Sequence, residues 1–207
     1  FCLSRGLGDV YKRQPSDSRI YKGFSLKDLD ENFKLFLSLS AVFALGSFSY
    51  SFLLIYAEEF GFEVTFVPVL YLIFTLFASI FSLPFGRLSD KIGRKPVLTL
   101  SFVLWGLVSL SFVIIQNYWT IILTFILYGL HRGALEPVQK TLVSELAPTE
   151  YRASGLGTFQ MVVGLCALPS SLIAGLLWDQ IDIFAPFYFS LSLTLFSIVM
   201  LMFVKEK

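Results

Sequence analysis

Residues 86–98 read GRLSDKIGRKPVL and place a dense group of charges between two long apolar segments. Gly86 and Gly93 permit a tight turn and a close approach of backbones. Pro96 suits the first turn of a helix. Asp90 is suited to accept hydrogen bonds at the N-terminus of a neighbouring helix, where a negative charge is favoured. The stretch therefore predicts a charged loop that ends where a new helix begins.

The basic side chains of this loop include Arg87, Arg94 and Lys95. Arg94 and Lys95 are expected to meet anionic headgroups or the carboxylates of a neighbouring segment. An ordinary cytoplasmic loop is the simpler interpretation, because cytoplasmic loops of membrane proteins are enriched in Lys and Arg. The charges alone do not distinguish specific contacts of Arg94 and Lys95 from an ordinary cytoplasmic loop.

Outward from this loop, long windows of sequence carry no charge. They are Leu35–Ala57, Val64–Gly86, Pro96–Leu130, Ala153–Trp178 and Ile183–Val204. A membrane-spanning helix needs about 20 mainly apolar residues. The third window is too long for one helix, and the polar and aromatic run QNYW at 116–119 divides it. The sequence thus predicts an all-α membrane protein with six transmembrane helices, at residues 34–57, 64–86, 96–115, 119–143, 153–178 and 183–204.

The composition agrees with a membrane protein and excludes several other classes. Of 207 residues, 56% are hydrophobic and 15% charged, and the mean hydropathy is +0.74. Soluble domains carry about 25% charged residues, so a soluble globule would lack the polar side chains to cover its surface. The same numbers exclude a disordered chain, a disulfide scaffold and a nucleic-acid-binding protein.

Cysteine and histidine are too scarce to predict a metal site. Cys2 and Cys166 are far apart, and His131 is the single histidine. No HExxH motif or nucleotide-binding loop occurs. The sequence therefore predicts no metal, no cofactor and no catalytic residues. An intramembrane enzyme remains as an alternative of a different class, but it would need a nucleophile with a base, or a metal cluster.

The N-terminal residues 1–23 form a leader that is set apart from the bundle at 24–207. Residues 1–14, FCLSRGLGDVYKRQ, are polar and basic and lack the apolar core of a signal peptide. They resemble translated sequencing-adapter read-through, so we expect them to be non-native; a natural, disordered cytoplasmic loop is the alternative. Ser25–Asp28 resembles a capping box and predicts a short amphipathic helix on the membrane surface before the first span.

The distribution of basic residues predicts the orientation. With the N-terminus in the cytoplasm, the inward segments hold every Lys and Arg of the chain except Arg132, which lies in the membrane. The outward loops carry only acidic charges, namely Glu58, Glu59, Glu63, Asp179 and Asp182. The positive-inside rule therefore places both termini in the cytoplasm, and a prokaryotic plasma membrane is the expected location.

The fourth predicted helix carries the charges that lie within the membrane. Tyr128, Arg132, Glu136 and Lys140 are four residues apart and form one stripe. Ionisable groups at this depth are costly and usually face a bundle interior or a wet cavity. Arg132 is the better candidate for solute contact, whereas the position of Glu136 nearer the cytoplasm favours a structural ion pair with Arg132. His131 is a further cavity candidate, or a hydrogen-bonded packing residue.

The charged stretch at 86–98 resembles the signature loop of the major facilitator superfamily (MFS), and the resemblance extends over about residues 24–207. The segments 128–140 and 153–178 resemble the tenth and eleventh helices of that family. A basic stretch before the first span indicates the C-terminal half, helices seven to twelve of an MFS fold. Two alternatives stay open, namely that the chain is an N-terminal half or that it is a six-helix protein that pairs with itself.

The resemblance implies secondary active transport of a small solute by alternating access, with efflux slightly favoured over uptake. Because Glu145 lies at the inner membrane edge, we expect Asp90, Arg94 and Glu145 to form a charge cluster that closes the cytoplasmic side, and the resemblance implies that such a cluster favours the outward-facing state. The expected partners are the solute, the lipid bilayer and a missing N-terminal six-helix half. An inactive fragment is the alternative, because half a transporter lacks one wall of its cavity.

Overall fold

The computed structural model describes residues 30–59, 61–114 and 117–206, and every regular element in these ranges is a helix. The α-helices are α1 (Glu31–Gly46), α2 (Tyr50–Glu59), α3 (Val67–Ile92), α4 (Arg94–Ile114), α5 (Tyr118–Leu146), α6 (Arg152–Gln180) and α7 (Ala185–Phe203). Short 3₁₀ turns at Val64–Phe66 and Thr149–Tyr151 precede α3 and α6. The proposed leader at 1–23, and residues 25–29 of the amphipathic segment, lie outside the described residues.

Six of these segments are long and apolar enough to cross a membrane, with α1 and α2 together forming the first. The prediction of an all-α protein with six transmembrane helices is therefore confirmed. Helix α5 is the most enclosed of the six, whereas α3 and α6 bury little of their surface within the chain. The bundle is thus organised around α5, and two of its helices are left with large uncovered faces.

The first predicted span is broken, which the sequence analysis did not predict. Helix α1 ends at Gly46, and α2 begins only at Tyr50. The break lies where a glycine is followed by serines, a pairing that favours kinks. A Cβ on Gly46 would lie 2.9 Å from Cβ of Leu193, so the chain passes very close to α7 at this point.

The predicted loop at 86–95 is also wrong in part. Helix α3 continues through Gly86, Arg87 and Asp90 as far as Ile92, and α4 starts at Arg94. Gly93 alone makes the turn, with φ of 98°, a conformation that side-chain-bearing residues rarely adopt. At Gly86, a Cβ would meet nothing within 4 Å, so the expected close approach of backbones does not occur there.

Helices α3 and α5 approach each other at two glycines. A Cβ on Gly129 would lie 2.6 Å from the carbonyl oxygen of Phe74, and one on Gly133 would lie 2.9 Å from that of Ala78. Small residues four apart allow this closeness between membrane helices. The contact matters for function because it fixes α3 beside the charged stripe of α5.

The interior between α4, α5 and α7 combines aromatic packing with a few hydrogen bonds. Trp105 is fully buried, and its indole N–H donates to the Ser190 hydroxyl at 2.8 Å. The ring of Phe187 packs against Phe112 and Phe48. Van der Waals packing and interhelical hydrogen bonds are the forces that hold helices together in lipid, and this interior uses both.

Candidate solute cavity and cytoplasmic charge cluster

Two cavities lie on either side of α5. The first, of about 380 Å³, is lined by α1, α5, α6 and the break at residues 47–49. The second, of about 360 Å³, lies between α2, α3 and α5. Four side chains line both, namely Tyr50, Tyr128, Arg132 and Glu136. The stripe predicted on α5 therefore forms a ridge between the cavities.

Arg132 and Glu136 form an ion pair along this ridge. The guanidinium of Arg132 donates to the carboxylate of Glu136 one turn further along α5. Their side chains are nevertheless 40% and 47% exposed within the chain, so both face the cavities rather than the packed interior. A pair that is open on one side can exchange partners with a charged solute, which a fully enclosed pair cannot.

Tyr128 begins the ridge and is held in place by neighbouring rings. Its ring centroid lies 5.1 Å from that of Phe74 on α3 and 5.8 Å from that of Trp105 on α4. Edge-to-face and tilted contacts of this kind favour one ring orientation. Tyr128 therefore presents a fixed aromatic surface to both cavities.

His131 lies outside both cavities, although it neighbours Arg132 in sequence. It is completely buried, and its Nδ1 donates to the carbonyl oxygen of Ser101 at 2.8 Å. The rings of Phe43 and Trp105 pack nearby. Consecutive residues of a helix point about 100° apart, so the two side chains face different surroundings. The position of His131 is that of a hydrogen-bonded packing residue.

The structure adds polar side chains to the first cavity that the sequence analysis did not select. Gln139 on α5 and Gln160 on α6 line it, and so does Ser40 on α1. The Ser40 hydroxyl is buried and has no hydrogen-bond partner among the described residues. A buried hydroxyl without a partner is unfavourable, which makes Ser40 an unusual residue in the wall of this cavity. These residues lack charge, and nothing in the sequence distinguishes them from ordinary packing residues.

The predicted cytoplasmic cluster of Asp90, Arg94 and Glu145 is brought together by the turn at Gly93. Arg94 Nη1 lies 2.5 Å from Asp90 Oδ1, and Arg94 Nη2 lies 2.8 Å from Glu145 Oε1. Arg94 therefore joins the end of α3 to the end of α5. Asp90 was expected to bind backbone donors at a helix N-terminus, but its carboxylate receives the guanidinium of Arg94 instead.

Ser89 completes this cluster and was not predicted. Its hydroxyl accepts from Arg94 Nη1 at 2.9 Å and donates to the carbonyl oxygen of Gly86 at 2.7 Å. Arg94 is only 16% exposed as a result. Among the other residues of the stretch, Arg87 is exposed and Lys95 turns towards the C-terminal end of the chain. Within the described ranges, no group of three metal-ligating side chains is placed to hold a metal ion.

Substituting Arg94 by glutamine is expected to lower the thermal stability of the bundle. The change removes a partner from two carboxylates that tie α3 to α5, and we expect a loss of about 1–2 kcal/mol, at the upper end for partly exposed ion pairs. The measurement is thermal unfolding of the purified chain in detergent. Lys91→Gln is the matched control, because Lys91 is an exposed cation near the same turn, at the end of α3. Equal losses in both variants would contradict the assignment.

The sequence of this chain is similar to one protein family and to several curated proteins. The sequence profile of the Major Facilitator Superfamily matches residues 35–207. An uncharacterised MFS-type transporter of Methanocaldococcus jannaschii is 41% identical over 199 residues, which cover 93% of this chain and 50% of the relative. The quinolone resistance protein NorA of Staphylococcus aureus is 23% identical over 147 residues, covering 70% of this chain and 37% of the relative. The chain thus spans half or less of the length of these curated relatives.

Proposed function

This chain belongs to the major facilitator superfamily, and from that premise we propose that it forms one half of a secondary active transporter that moves a small solute by alternating access. Membrane transport is the activity of the transporters that it resembles. In such proteins, two bundles rock about a site near the middle of the membrane. The proposal assigns the two cavities beside α5 to that site.

The exposed ion pair on α5 is the observation that carries this proposal. Arg132 lies 14 residues after the start of α5 at Tyr118, or about 20 Å along the helix axis. Since α5 has 29 residues, Arg132 is its midpoint, which lies near the middle of a bilayer of about 40–45 Å including the headgroups. Charged side chains at such a depth are expensive unless they face a partner or an aqueous cavity. A solute site that uses both charges accounts for their position and for their exposure.

We further propose that the chain supplies helices seven to twelve of a twelve-helix protein. The match to half the length of the archaeal relative supports this. In this arrangement, an N-terminal six-helix half covers Arg132 and Glu136 and closes the cavities from the other side. The chain alone leaves the charged ridge open, so it is not expected to transport by itself.

Efflux is the direction that we favour over uptake. The name of the staphylococcal relative describes resistance to quinolones, and resistance by a transporter is consistent with export. The cavities offer aromatic rings beside a cation and an anion, which suits an amphipathic organic solute. For orientation, we propose both termini in the cytoplasm of a prokaryotic cell. The acidic residues near Glu59 and the basic residues near Arg94 lie at opposite ends of the bundle, in agreement with the positive-inside rule.

Transport by the full-length protein in proteoliposomes tests this function. The first step is to sequence the source locus across residues 1–15 and to recover the continuous reading frame. A fluorescent fluoroquinolone is the first probe, followed by a panel of amphipathic organic ions. We expect the full-length protein to move a probe and the 207-residue chain alone to move none. Transport by the chain alone would instead support a six-helix unit that pairs with itself, and failure of the full-length protein on the whole panel would contradict the proposal.

A further inference from the structure

The C-terminal tail, residues 204–206, does not leave the bundle after α7 but lies across its cytoplasmic end. There it contacts both the start of α1 and the turn between α3 and α4. From these contacts we propose that the tail is a clasp, and that Glu206 is a positioning residue for the ion-pair cluster of Arg94. The role in transport rests on the proposed function, whereas the clasp itself is a property of this chain.

Two hydrogen bonds attach the tail to α1. The backbone N–H of Lys205 donates to Oδ1 of Asn32 at 2.9 Å. In return, Nδ2 of Asn32 donates to the carbonyl oxygen of Lys205 at 2.5 Å. One side-chain amide therefore satisfies both backbone groups of a single residue. This arrangement fixes the tail at residue 205 and determines where the next side chain is placed.

Glu206 then reaches the beginning of α4. Its carboxylate accepts from the backbone N–H of Lys95. The first N–H groups of a helix have no partner within the helix, and a negative charge is favoured at that end. The ammonium group of Lys95 donates back to the carbonyl oxygen of Met202 at 3.1 Å. The tail and the start of α4 are thus joined in both directions.

Gly93 makes this contact possible. A Cβ at Gly93 would lie 2.7 Å from Oε2 of Glu206, closer than non-bonded atoms normally approach. The glutamate therefore occupies the space that a side chain at position 93 would need. An added side chain would displace the flexible end of Glu206 and so break the contact, whereas the φ of 98° is the feature that makes glycine necessary at this position.

Arg94 lies between two residues whose backbones are held. The N–H of Gly93 donates to the carbonyl oxygen of Ser89, and the N–H of Lys95 donates to the carboxylate of Glu206, so the backbone of Arg94 has little freedom. Its guanidinium is thereby directed at Asp90 and Glu145. Glu206 acts on the cluster through the backbone and does not touch its charges. The clasp connects α1, α4 and α7, whereas the cluster connects α3, α4 and α5. Together they join five of the helices at the cytoplasmic end.

Amide hydrogen exchange of the purified chain in lipid nanodiscs tests the clasp. The reporter is the N–H of Lys95, which exchanges quickly at a helix start unless an acceptor protects it. We expect Glu206→Ala to accelerate this exchange roughly ten- to a hundredfold, the loss of one hydrogen bond to a charged group. Glu206→Gln should give an intermediate rate, because its amide oxygen still accepts. Asn32→Ala should also accelerate exchange by releasing the tail, and it serves as the second variant if Glu206→Ala does not fold.

Glu59→Gln is the matched control, since Glu59 is an exposed carboxylate at the opposite end of the bundle. In this variant, the exchange rate of the Lys95 N–H should equal that of the unsubstituted chain. Unchanged Lys95 exchange in Glu206→Ala, or equal acceleration in the control, would overturn the clasp.

A double-mutant cycle tests whether Glu206 positions Arg94. If Glu206 acts through Arg94, then Glu206→Ala should lower the melting temperature less when Arg94→Gln is already present. Full additivity of the two effects would overturn the positioning role. Neither experiment needs a solute. A failure of the transport assay therefore contradicts the proposed function alone, and a failure of exchange or of the cycle contradicts the clasp alone.

Discussion

Substituting Gly129 by valine is expected to prevent α3 and α5 from packing and to leave the chain without a stable fold. Even the first added carbon would lie 2.6 Å from the carbonyl oxygen of Phe74 and 2.7 Å from Cβ of Phe77. The nearest atom belongs to the backbone of α3, so no side-chain rotation relieves the contact. Overpacking of this kind typically costs about 1–3 kcal/mol of stability, and occasionally more. Thermal unfolding in detergent, together with the yield of monodisperse protein, measures the effect.

Glycines elsewhere in the bundle provide the control for this substitution. A Cβ on Gly164 in α6 would meet nothing within 4 Å. Gly164→Val is therefore expected to change stability by no more than about 0.5 kcal/mol, as for most surface substitutions. Gly129→Ala should lie between the two, since it adds one carbon instead of three. If Gly129→Val unfolds at the temperature of Gly164→Val, the close contact of α3 and α5 does not support the fold.

The six helices could be predicted because the number of residues between charges along the sequence reflects the thickness of the membrane. Ionised side chains are costly in the hydrocarbon region and therefore rare there, so uncharged windows of the right length indicate spans. The break at residues 47–49 could not be predicted in this way, because glycine and serine carry no charge and do not interrupt the uncharged window. The sequence predicts a longer loop around Gly93 than the structure has for a related reason. Charged residues indicate exposure to water, but they do not distinguish an exposed helix end from a loop.

The candidate site was predicted where it depends on one helix, and the cluster of Asp90, Arg94 and Glu145 was predicted because all three lie at the same edge of the predicted spans. Other contacts between helices were missed. The stripe of Tyr128, Arg132 and Glu136 follows from helical periodicity alone. Whether His131 belongs to it depends on where α4 lies, and Ser101 shows that α4 is its partner. Ser89 and Glu206 join the contacts around Arg94 through the turn at Gly93 and the path of the tail. Long-range placement of that kind is absent from a single sequence.

Substituting Arg132 by alanine is expected to abolish most of the solute transport of the full-length protein, with at least a tenfold loss of rate. The change removes the cation from the ridge and leaves the Glu136 carboxylate without its partner in the membrane, where an isolated charge costs at least about 2.5–3.5 kcal/mol. Both binding and stability should suffer. Transport rates in proteoliposomes, normalised to the amount of folded protein, separate the two effects.

The double variant Arg132→Ala/Glu136→Ala distinguishes a structural ion pair from a solute site. Removing both charges relieves the unpaired carboxylate, so the protein should regain its thermal stability. If the pair is only structural, transport returns as well; if it contacts solute, transport stays low. Arg132→Lys keeps the charge but loses the planar, two-pronged donor of the guanidinium, and should therefore transport at an intermediate rate. Arg152→Ala, which removes an exposed cation at the start of α6, should transport normally, because it lies outside both cavities.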